Sequence, residues 1–168
     1  MSNFIGFFLR NFTLSLLVLG FIAALLSLST KKSLTKAVII EAIFSYYLLF
    51  SVGISYFYNF IMHTFFGKFT ATFIGWAQSP FQFEVGMASL GVAIAGFISF
   101  RSNLAFRAAT LIVPIVFCLG AAGGHIYQMI LNNNFAPGNT GVILWSDIML
   151  PVISLTLLWL SNQNRNVQ

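Results

Sequence analysis

The sequence predicts an all-α, polytopic transmembrane helical bundle of about five spans, with an amphipathic segment at its outer interface. Three observations carry this. Of 168 residues, 58% are hydrophobic and 7% charged, against about 25% charged in a soluble domain. The acids are Glu41, Glu84 and Asp147 alone, too few to cover a surface in water, so lipid must cover most of it. Five apolar runs approach the ~20 residues that cross a hydrocarbon core.

The first span is residues 11–29, with 2–10 as an interfacial lead-in or its first turns. Residues 14–28 have the look of a signal-peptide core. Lys31, Lys32 and Lys36 follow and no A-x-A site ends the run, so it reads as an uncleaved span. The second span is 37–61. The third, 80–100, opens on Ser79-Pro80-Phe81-Gln82, where Ser79 can cap, Pro80 suits the first helical position and Gln82 can close a capping box. The fourth, 108–130, carries Pro114, a kink, and closes near Asn132, Asn133 and Asn134, because Asn tolerates the left-handed conformation. The stretch NFAPGNTG is turn chemistry, with Thr140 placed to cap a fifth span over 142–160. Residues 161–168 read as a polar tail, and the chain 1–168 as one domain.

The segment 63–79 reads HTFFGKFTATFIGWAQS. Phe65, Phe66, Phe69, Phe73 and Trp76 recur at helical spacing, which predicts an amphipathic piece in the outer interface or packed on the bundle mouth. Orientation follows the positive-inside rule. Lys31, Lys32, Lys36, Arg101, Arg107 and Arg165 fall on one side, and Arg10 and Lys68 on the other. The N-terminus is then periplasmic and the C-terminus cytoplasmic, in a bacterial inner membrane. Trp76 and Trp145 would mark the outer belt and Trp159 the inner one. Because the basic residues are scattered over short loops, no nucleic-acid surface is expected.

These boundaries place ionisable groups in one layer of the outer half. Glu84 lies about a turn inside the third span, His125 and Gln128 one to two turns below the end of the fourth, and Asp147 two turns into the fifth. His63, at the outer end of the second span, can approach them. Pro151 frees a backbone carbonyl at Asp147. Small residues at Gly86, Ser89, Gly91, Ala93, Ala95, Gly96, Gly120 and Gly124 predict close packing of the third and fourth helices, bringing Glu84 to His125.

Ionisable groups within a membrane face the bundle interior or a wet cavity. One reading is a structural cluster in which His125 pins Glu84 or Asp147. The other is a site for a metal, a small polar ligand or a proton. Glu84, His125 and Asp147 supply a donor set for a hard-to-borderline metal, but no i, i+3 or i, i+4 ligand pair exists among them. Cys118, His125 and Met129 share a helix face, with Met62 beside His63; such donors suit monovalent copper and are equally ordinary packing residues. Glu41 would pair with Lys36, Arg101 or Arg107, or serve as a proton relay. Nothing in the chain specifies a cofactor. The expected surroundings are the lipid bilayer, with a second copy or a membrane-complex partner left open.

The strings HTFFGKFTATFIGWAQSPFQFEVGMASLG (63–91), GAAGGHIYQMILNNNFAPGNTG (120–141) and WSDIMLP (145–151) resemble a family of small bacterial membrane proteins of unknown function. Its pattern is IGW, SPFQ-x-EVG, G-x-x-x-H, N-x-APGN, then an Asp before a Pro. It falls here on His63, Trp76, Ser79, Pro80, Gln82, Glu84, His125, Asn134, Pro137, Gly138, Asn139, Asp147 and Pro151. Ala77 stands where the pattern has proline. A looser, architectural resemblance is to four-helix DoxX-type membrane proteins. The resemblance implies no activity. The functional expectation is a binding protein or membrane-complex subunit with an outer-half site. The alternatives are a membrane-embedded redox or other enzyme using His125 as acid/base, and a small oligomeric transporter or channel. No catalytic motif separates them.

Overall fold

The computed structural model describes residues 6–8 and 10–165. The helices are α1 (Phe12–Ser29), α2 (Lys36–Phe65), α3 (Gly67–Ile74), α4 (Phe81–Ser99), α5 (Leu104–Asn132), the single turn α6 (Pro137–Thr140) and α7 (Val142–Arg165). No strand occurs among the described residues. Five helices are long and apolar enough to cross a membrane, α6 and α7 together forming the fifth. The lead-in read over 2–10 lies largely outside the described residues. The stretch read as a polar tail continues α7 to Arg165, and 166–168 lie outside the description.

The exposed surface of the long helices is apolar. Ile112, Val116, Ile130, Trp145 and Trp159 are each more than half exposed. Side chains that would aggregate in water are the ones lipid accepts. The buried interior is comparatively small and polar. Phe44, Leu48, Val52 and Leu111 form its apolar centre, while Ser51, Ser89, Ser99, Ser154, Arg107, His125, Asn139 and Asp147 are also buried.

Helix α2 is central, against α1, α4 and α7, while α5 packs mainly on α7. Close approach is set by small residues. A side chain at Gly96 would sit 2.6 Å from the Gly53 nitrogen, and one at Gly86 would collide with Thr64. Thus the small face of α4 packs on α2, not on α5. Gly120 of α5 faces open space and Gly124 faces the Trp76 ring. Helices α4 and α5 meet through Ser99–Thr110 (2.9 Å) and Arg107–Ser99 (3.0 Å), beside their short connection. Helix α2 runs about three turns beyond a local defect, a π-helical stretch at Leu48–Ile54 that periodicity does not signal. Thr13 and Ser146 tie α1 to α7 with hydroxyls 2.6 Å apart.

The bundle has two unlike ends. The basic end holds the connections 30–35 and 100–103, and the capped end holds α3, α6 and their flanking turns. Two expected caps differ in detail. Helix α4 has Pro80 rather than Ser79 at its cap position, so no side chain caps it, and Gln82 is engaged by His63. The Thr140 hydroxyl donates back to the Ala136 carbonyl at 3.4 Å rather than capping α7.

Candidate functional site

The site at the capped end is assembled by two left-handed residues. Gly75 (φ 77°) closes α3, with the Gly75 and Trp76 amides both donating to the Ala71 carbonyl at 2.9 Å. This turns Trp76 inward onto α5. Asn133 (φ 48°) closes α5, and the Asn134 amide donates to the Gln128 carbonyl at 3.2 Å. Asn134 then donates its side-chain amide to the Ile74 (3.0 Å) and Gly75 (3.1 Å) carbonyls, locking the two chain reversals together. Pro137 opens the turn α6, which presents Asn139 to the interior. Gly138 lets α6 approach α3: a side chain there would sit 2.6 Å from the Phe73 carbonyl oxygen.

Asn139 is completely buried and organises the site. Its Nδ2 donates to the backbone carbonyls of Asn134 (3.0 Å) and His125 (3.1 Å). That fixes the amide, so Oδ1 must accept. It accepts from Trp76 Nε1 at 2.9 Å and from His125 Nδ1 at 2.8 Å. His125 therefore carries its hydrogen on Nδ1, and its Nε2 faces Asp147 Oδ2 at 3.6 Å. The Trp76 ring lies tilted over the imidazole, with centroids 5.3 Å apart. The Asp147 carboxyl also lies beside the Cys118 thiol, which contacts the Tyr56 hydroxyl at 3.3 Å.

Of the residues singled out from the sequence, the fold brings together His125 and Asp147. Glu84 is exposed on α4 and no partner of it is found among the described residues, because the face of α4 that packs inward belongs to Gly86 and Ser89. His63 is held by Gln82 across the α2–α4 contact. Gln128 accepts from Asn132 at 2.6 Å, at the exposed end of α5. Met129 is half-buried and outside the His125–Asn139 network. Among the described residues no three His, Cys, Asp or Glu side chains come near enough to hold a metal ion. Trp76 is half-buried and forms a wall of the site. Asn139 was legible only as a letter in the APGN string, since its role depends on two chain reversals meeting.

At the basic end, Glu41 pairs with Arg107, one of its three foreseen partners. Arg107 is buried and donates to both carboxylate oxygens, at 2.8 and 2.7 Å. It also donates to Ser45 Oγ and to the Ser99 and Phe100 carbonyls, and lies over the Phe44 ring. Glu41 remains 60% exposed, facing a cavity of about 290 Å³ that Asn103, Ser161 and Asn164 also line.

No curated protein and no solved structure matches the chain. Residues 10–167 match a family of unknown function, DUF6790, and the chain belongs to that family.

Proposed function

We propose that the protein is an integral inner-membrane binding protein or membrane-complex subunit whose site, in the outer half of the membrane, holds a proton between His125 and Asp147. The supporting observation is the fixed tautomer. With Nδ1–H committed to Asn139, the imidazole offers only Nε2 to Asp147, at 3.6 Å. A neutral imidazole beside a carboxylic acid, or an imidazolium beside a carboxylate, places one proton in the pair. Either arrangement is neutral overall, which a buried site in lipid requires. The enclosed geometry favours a proton over a larger ligand, and the missing third donor disfavours a metal.

The support for "outer" is the positive-inside rule: Lys31, Lys32, Lys36 and Arg101 gather at the basic end, as expected of a cytoplasmic face. The capped end then faces the periplasm.

The test is pH-dependent infrared and imidazole ¹⁵N spectroscopy on protein in bilayers. The expected result is a carboxyl band and a His125 signal that change together with pH, with the carboxyl band lost in Asp147→Asn. A folded protein in which neither group changes protonation at any accessible pH would reduce the cluster to a structural one. Stoichiometric metal in purified wild type that is lost in His125→Ala would replace the proton with a metal.

A further inference from the structure

Three helix irregularities converge at the bundle centre. The π-helical stretch of α2, Pro114 of α5 and Pro151 of α7 all border a cavity of about 10 Å³. Each loosens the intrahelical ladder where it stands. Polar side chains also line the cavity: Tyr47, Ser51, Tyr56, Cys118 and Ser154. Four of them are bonded in two separate groups. Tyr56 meets Cys118 at 3.3 Å. Tyr47 lies 2.7 Å from the Ser154 hydroxyl and donates to the Leu150 carbonyl at 3.0 Å. Beside these groups stands Ser51, 2% exposed, whose hydroxyl has no hydrogen-bond partner among the described residues.

A hydroxyl buried without a partner is unfavourable, the more so in a bundle surrounded by lipid. The cavity matches the ~10–15 Å³ that accommodates one water, and a water needs two to four polar partners, which the lining supplies.

We propose that a single water molecule binds at this position, held by the Ser51 hydroxyl, and joins the Tyr56–Cys118 group to the Tyr47–Ser154 group. A hydrogen-bonded chain then runs from the Cys118 thiol, which lies beside Asp147, through Tyr56, the water and Tyr47 to Ser154. Asp147 and Ser154 are seven residues apart on α7, so the chain covers about 10 Å of depth. The water gives the Ser51 hydroxyl a partner and joins the buried hydroxyls to the thiol beside Asp147 without placing a charge in the interior. The water site stands on its own geometry; its link to a proton site rests on the His125–Asp147 reading.

Cys118 is the single cysteine of the chain, and its S–H stretch falls in an infrared window clear of other protein bands. In wild type the expected band is that of a hydrogen-bonded thiol that converts to S–D when folded protein is moved into D₂O. Ser51→Val fills the cavity, and the expected result is a shifted band with at least tenfold slower conversion. Ser51→Ala keeps the space and removes the anchor; a shifted band and a lowered melting temperature are expected. Ser51→Ala with the wild-type band, conversion rate and an equal or higher melting temperature overturns the proposal, whether or not the valine variant folds. The two readings separate cleanly. If Ser51→Ala matches wild type while Asp147 and His125 still titrate together, only the water falls. If the Ser51 effects appear while that titration is absent in wild type, only the proton reading falls.

Discussion

Asn139 shows what one side chain contributes when both of its ends are used. The amide donates to two carbonyls and accepts from Trp76 and His125, and it is completely buried. Asn139→Leu has the right volume but strands the Trp76 N–H, the His125 Nδ1–H and two carbonyls. A loss of about 3 kcal/mol is expected, because each stranded buried group costs about 1–3 kcal/mol less relaxation. Denaturant unfolding in detergent measures it. Asn139→Asp should fare no better, since a carboxylate cannot donate to the two carbonyls. Trp76→Phe keeps the wall over the imidazole and loses one donor, so about 1 kcal/mol is expected from the same measurement. At the basic end, Glu41→Gln leaves the Arg107 guanidinium buried without its counter-charge. About 2 kcal/mol is expected, below the figure for a fully enclosed pair because the Glu41 side chain is 60% exposed. Equal stability of the two proteins would mean that solvent alone satisfies Arg107.

At the scale of the helices, close packing is decided by which glycines face a neighbour. Gly96 stands against the backbone of Gly53 in the π-helical stretch, so a methyl group has nowhere to go. Gly96→Ala should therefore cost about 1–3 kcal/mol by forcing α4 away from α2. Gly120→Ala meets nothing within 4 Å. It should be neutral or stabilising by about 0.5–1 kcal/mol through helix propensity. Thermal melts of the two variants side by side check the pair, and a destabilised Gly120→Ala would reveal a partner on that face of α5. The small residues of α4 and α5 were legible as packing residues. Their partners were not, because a helix packs by faces, and a string of letters does not say which neighbour a face meets. The π-helical stretch was equally hidden. It packs on α4 and α1, and Leu48–Ile54 reads as an ordinary apolar run.

At the scale of the whole molecule, the two ends differ in chemistry. The basic end carries lysines and one braced ion pair; the capped end carries α3, α6 and the closed His125 site. Cysteine labelling in a Cys118→Ala background should reach positions beside Lys31 and Pro137 from opposite sides of the membrane. Modification of both from one side would overturn the orientation and with it the periplasmic placement of the site. The five helices long and apolar enough to span were legible to within about five residues at their ends, because length and apolarity are properties of each segment alone. The site was half legible. His125 and Asp147 stood out as ionisable residues at similar depth, whereas Glu84 had the right depth and the wrong face.

By itself, then, the sequence determined which segments are long and apolar enough to span, that a helix ends near Asn133, and which residues have the chemistry to matter. Those properties are local: hydropathy, φ preference and ionisable type act within a few residues. Only the tertiary structure decided that Asn139, carried on a single turn, reaches His125, that Trp76 closes over them, and that Arg107 rather than Lys36 or Arg101 holds Glu41. It also brought two prolines and a helix defect to one cavity beside Ser51. The physical reason is that hydrogen bonds extend about 3 Å and are directional. Which groups satisfy one another depends on the rotation and approach of whole helices, a quantity that no single segment encodes.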